Sequence, residues 1–151
     1  MTDQITYVKN GWTELNGAII FCPSQARLPI TPEDLFRGAD LRWPGGVVHC
    51  QPDDRVVASV RILGEEPAAF TVRLYEGNQL IGVDGTPRQN VVVAAWLRSL
   101  MPEDAPRMVV GDKGFGVHAE LPYGVTPEQI ASSMIRHVGT AWNANDPDLQ
   151  W

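Results

Sequence analysis

Thr31-Pro32-Glu33-Asp34, Thr86-Pro87-Arg88-Gln89 and Thr126-Pro127-Glu128-Gln129 repeat one local signal at three places in the chain. Threonine is a good helix N-cap, and proline at the first helical position gives up no hydrogen bond. An acid or amide stands at the N3 position each time, and with Gln89 and Gln129 it completes a capping box. Ile30 with Leu35, and Val125 with Ile130, fit hydrophobic staples across the first and third starts. Three helix starts are therefore marked, and the segments between them read as strands.

Working outward, Ala18-Ile19-Ile20-Phe21-Cys22 is an apolar run stopped by Pro23, a strand followed by a loop over 23–30. The first helix is expected over 32–38 and ends at Gly38. A turn at Trp43-Pro44-Gly45-Gly46 leads into a meander. Its strands are expected at 47–51, 55–63 and 69–75, with a short fourth at 80–83. Val56, Ala58, Val60 and Ile62 share one face, as do Phe70, Val72 and Leu74. The second helix, 87–101, carries an apolar stripe through Val92, Val93, Trp96, Leu97 and Leu100. A hairpin of strands 107–110 and 115–121 follows, turning at 111–114. Phe115, Val117, Ala119 and Leu121 are expected on one face of it, and Gly116, His118 and Glu120 on the other. Ile130, Met134 and Val138, at helical spacing, extend the third helix over 127–142. Residues 143–151 are a tail.

These elements compose one α+β domain: an antiparallel sheet, meander plus hairpin, with three helices on one face. The order is (β)-α-β-β-β-(β)-α-β-β-α, and residues 1–30 form an N-terminal extension with a short strand. A chain of 151 residues is 44% hydrophobic and 20% charged, enough for one domain burying about 68–70% of its unfolded surface. Twelve basic and 18 acidic residues give a net charge of −6, which repels phosphate backbones and argues against nucleic acid as a partner. The first residues carry neither a basic n-region nor an apolar h-region, and no apolar run is long enough to span a membrane. A cytoplasmic chain with reduced Cys22 and Cys50 is expected.

His49, Cys50, Asp53 and Asp54 crowd one turn, and Cys22 could join them. Zinc sites use ligand pairs at set spacings, whereas an adjacent His-Cys points to opposite faces of a strand, so no metal is expected. Asp112, Lys113, His118 and Glu120 cluster on the hairpin, and the shared face of His118 and Glu120 suits a carboxylate–imidazole pair. No nucleophile accompanies it: Ser99, Ser132 and Ser133 fall in helical segments outside any nucleophile elbow. Gly111–Gly116 is glycine-rich, but a strand follows where a phosphate-binding loop needs a helix. Catalytic residues and cofactors are accordingly not expected. Trp43, Trp142 and Trp151 lie near element ends or in the tail. With Asp112, His118 and Glu120 they are the candidate partner-binding residues.

From the first Thr-Pro onward the element order resembles that of the type III secretion chaperones and their YbjN-like bacterial relatives. The local likeness is Gly116-Val117-His118-Ala119-Glu120-Leu121-Pro122-Tyr123-Gly124-Val125-Thr126-Pro127-Glu128-Gln129-Ile130, which looks like the last strand and helix of a YbjN-like domain. The order covers residues 31–142, and the sequence likeness about 25 residues. The chain departs from those chaperones in its short first helix and in residues 1–30. The resemblance implies a non-enzymatic, acidic, often dimeric protein that binds other proteins, and it carries no functional residues across. The expected function is thus non-catalytic protein binding, chaperone- or adaptor-like, toward a partner with a basic surface. An immunity protein covering a toxin's active site is one alternative, and a small-ligand domain or enzyme using His118 and Glu120 is another. The exposed meander edge and surplus tryptophans add an expected homodimer.

Overall fold

The Thr-Pro sites do start three helices in the computed structural model, which describes residues 6–64 and 67–137. These are α1 (Pro32–Arg42), α2 (Pro87–Ser99) and α3 (Pro127–Ser132). Each threonine hydroxyl accepts the N3 amide, and each N3 side chain accepts the threonine amide in return. Asp34 does this as well as the glutamines, its carboxylate 3.1 Å from the Thr31 nitrogen. A capping box satisfies two amide donors that would otherwise lack partners at a helix start.

The strands are β1 (Thr6–Tyr7), β2 (Ala18–Phe21), β3 (Val47–Cys50), β4 (Val56–Ile62), β5 (Phe70–Tyr75), β6 (Leu80–Val83), β7 (Val109–Asp112), β8 (Val117–Glu120) and β9 (Ile135–Arg136). They form one antiparallel sheet in the order β1-β9-β8-β7-β2-β6-β5-β4-β3. The expected class, α+β with an antiparallel sheet and three helices, is what the chain adopts. The N-terminal segment, however, is no extension. Its strand β2 lies between β6 and β7 and joins the meander to the hairpin.

Strand alternation assigns the faces. Ala18 and Ile20 of β2 join Ala58, Val60, Ile62, Phe70, Val72, Leu74, Ile81, Val83, Val110, Val117 and Ala119 in the core. Leu35 and Ala39 of α1, Val91, Val93, Ala94 and Leu97 of α2, and Ile130 of α3 close it from the helical side. The intervening residues face the other way. No helix among the described residues is long and apolar enough to cross a membrane.

Boundaries differ where tertiary contacts outweigh local signals. Gly38 does not stop α1, which runs on to Arg42. It lets the helix approach α2: a Cβ there would stand 2.7 Å from a methyl of Leu100. The third helix is shorter than its periodicity predicts. Ser133 Oγ bonds back to the Gln129 carbonyl at 2.7 Å, and the chain then extends into β9 against β8. Ile130 and Met134 are both fully buried, as helical spacing suggested, yet Met134 lies beyond the helix and its carbonyl accepts the Val8 amide. Val138 and the tail lie outside the described residues. The hairpin turn falls two residues later than expected, between Asp112 and Val117.

Two substitutions test this construction by urea denaturation. Thr126→Ala removes an N-cap and should lower stability by about 1 kcal/mol. Gly11→Ala should lower it by about 1–3 kcal/mol, because the new methyl would collide with the Ala131 backbone of α3. Wild-type midpoints for both would contradict the packing described.

Candidate binding face

The sheet face opposite the helices carries its own apolar patch. Phe21 sits across from Leu80 on one side and Val109 on the other, and Ile19 lies between Gly82 and Gly111. Phe21 and Val109 are buried, with Ile19, Leu80 and Phe115 packed around them. Beside them opens a cavity of about 530 Å³ lined by Ile19, Phe21, Cys22, Gln25, Gln79, Leu80 and Phe115. That is the size of a small-molecule pocket or a large side-chain socket. Its walls are aliphatic and aromatic, its polar groups the amides of Gln25 and Gln79.

Local backbone brings two of these side chains to the cavity. Gln25 (φ 67°) and Phe115 (φ 54°) both adopt the left-handed region that bulky side chains avoid. For Phe115 the cause is visible in Asp112, whose carboxylate accepts the Gly116 and Val117 amides at 2.7 and 3.2 Å and winds the turn tightly. The turn swings Phe115 onto the open face, where it meets Phe21 edge to face, centroids 6.2 Å apart. Phe115 is thus not on the core side with Val117 and Ala119. Asp112 thus shapes this turn through its carboxylate.

His118 is not an exposed surface residue. It is 5% exposed, and its Nδ1 lies 2.6 Å from Nε2 of His137, the two rings stacked with centroids 4.7 Å apart. At that distance one imidazole donates and the other accepts, so the pair shares a proton and ties the end of β9 to β8. Glu120 is 3.9 Å from His118 Nε2, beyond a hydrogen bond. Its carboxylate is instead engaged by Arg107, at 2.9 Å from Nε and 2.6 Å from Nη2.

The remaining candidates separate. Trp43 ends α1 and is 9% exposed, edge to face with Phe70 and Trp96 at 5.9 and 4.9 Å, so it belongs to the core rather than to a partner site. Trp142 and Trp151 lie outside the described residues. His49 stacks on Phe36 and holds the Asp40 carboxylate at 3.0 Å. Cys22 and Cys50 are free thiols. Sequence reasoning did not assemble the cavity, although one signal was present: residues 18–22 do not alternate, as befits a strand covered on both faces.

Burial raises the Cys22 thiol above its ordinary pKa, against a smaller lowering by the nearby Arg98 charge. Because the thiolate is the nucleophile, this shift and the burial of the side chain both slow reaction at Cys22. At pH 8 a maleimide should label Cys50 at least about tenfold faster in the native protein, and unfolding should abolish the difference. Equal native rates would contradict this burial.

No family model, curated protein or solved structure matches the chain.

Proposed function

We propose that the chain is a non-catalytic protein-binding domain that holds its partner on the open face of the sheet. The partner seats one large apolar side chain, aromatic or leucine-like, in the cavity between Phe21, Leu80 and Phe115. The cavity itself carries this reading: about 530 Å³ of apolar socket on the sheet face that none of the described helices covers, with the side-chain amides of Gln25 and Gln79 in its lining. Anchors of this kind dominate interface energetics. The net charge of −6 favours encounter with a basic partner, and such encounters slow as salt rises. A chaperone or adaptor engages several clients this way, whereas an immunity protein engages one toxin. The number of partners separates those roles.

The cavity volume also supports a second reading, a pocket for a small, mostly apolar molecule. It lies at β2, β6 and the Phe115 turn rather than at His118 and Glu120.

Affinity purification from the native host, with wild type and Leu80→Arg as parallel baits, tests the proposal. Leu80 lies outside the helix-covered core, so the variant should keep its circular dichroism spectrum. It should lose affinity for a stoichiometric partner by at least about tenfold. Equal binding by both baits would sink the proposed site. A co-purifying small molecule displaced by Leu80→Arg, with no protein partner, would favour the second reading.

A further inference from the structure

The sheet has two outer edges among the described residues, and they are not equivalent. β1 is two residues long, a length that protects an edge by itself. β3 is four residues, Val47-Val48-His49-Cys50, with no lysine, proline or acid to discourage pairing. Gly46 and Leu63 form the hydrogen-bonded pair at its start, the Leu63 amide donating to the Gly46 carbonyl at 2.8 Å. Pairs alternate in an antiparallel ladder, so Val48 and Cys50 also bond inward to β4. The N–H and C=O groups of Val47 and His49 therefore point outward along an edge that no described strand pairs with. Exposed apolar side chains gather at the same margin: Val48 at 46%, Leu63 at 43% and Val57 at 37%.

We infer that β3 pairs with β3 of a second copy, antiparallel, about a two-fold axis normal to the sheet. Such an axis preserves the faces, so paired residues must have numbers of equal parity. The register centred on Val48 meets this condition and uses every outward group of the strand. Val47 of each copy exchanges both bonds with His49 of the other. Val48 then faces Val48 of the second copy as a close, non-hydrogen-bonded pair on the open face, covering the most exposed side chain of the edge. The neighbouring register, centred on His49, opposes two histidines and pairs Val47 with Gln51, beyond the strand and next to Pro52. The dimer continues one sheet through both copies, with the helical layers on the same side. Its contact lies at the β3 edge, four strands from β2.

Light scattering at micromolar concentration should report twice the 16.6 kDa chain mass. Val48→Lys places like charges directly opposite and should raise the dimer dissociation constant at least about tenfold. Val48→Cys in a Cys50→Ser background should oxidise to a covalent dimer, since directly opposed residues of this type have Cα atoms about 4.5 Å apart, within disulfide reach. Val57→Cys in the same background, one strand inward, should not. A mass of 16.6 kDa throughout the concentration range overturns the inference. So does a dimer that Val48→Lys leaves intact while Val48→Cys fails to cross-link. If Val48→Lys unfolds, the cysteine pair alone decides, because its side chains are close to valine in size.

Discussion

β2 has both of its edges hydrogen-bonded, to β6 on one side and to β7 on the other, and the sheet is continuous only through it. Remove those pairings and two separate antiparallel units remain: the meander β3–β6, and the assembly of β7, β8, β9 and β1. Every pairing of β2 is distant in sequence. Its partners begin about 60 and 90 residues later, so closing the sheet requires long-range contacts that form late and slowly. The helices follow the same plan. α1 packs over the meander, α3 lies against β8, and α2 bridges toward both β2 and α3. A buried polar residue reinforces the bridge: Asn90 of α2 donates to the carbonyl of Leu15, just before β2, at 2.8 Å.

Because β2 is central, its two faces do different work. Ala18 and Ile20 complete the helix-covered core, while Ile19 and Phe21 build an apolar patch on the other side. Among the described residues the helices cover one face of this central strand, and the other face is lined by Ile19, Phe21, Leu80 and Phe115. Gly82 and Gly111 flank Ile19 without side chains of comparable reach, and the Tyr75 ring lies 3.4 Å from where a Cβ on Gly82 would stand. The cavity is thus a consequence of which residues stand beside β2.

The helix starts were legible because a capping box is contained within four residues and needs no distant partner. The strand periodicities of β4 and β5 were legible for a similar reason: alternation is local and burial follows it. What escaped depends on contacts across the chain. Gly38 reads as a stop until Leu100 is placed against it. Ile130 and Met134 read as one helix until β8 recruits Ile135 and Arg136. His118 reads as a surface residue until His137, 19 positions later, stacks on it. The cavity is assembled from residues 19–25, 79–80 and 115, and no local pattern links those segments. Arg98 is the extreme case. It is 3% exposed and donates to the carbonyls of Leu121, Met101 and Pro102, ending α2 and fixing the exit of β8 with one side chain that composition alone would put in solvent.

The two wings of the sheet are consequently held by different physics. The meander side is secured by apolar burial: Ala58, Val60, Ile62, Val72 and Leu74 are all fully covered. Beyond β8 the strands are two residues long, too short to contribute much apolar surface. Specific polar and aromatic contacts substitute there. Arg136 reaches Glu14 at 2.6 Å, Val8 donates to Met134, and His137 stacks on His118. Exposed ion pairs contribute little individually and weaken with salt. Local opening of this wing should therefore cost less than opening the meander, and amide exchange should be faster in β1 and β9 than in β4 and β5. The cavity sits between the wings, walled by β2 and β6 on one side and by Phe115 of the turn between β7 and β8 on the other.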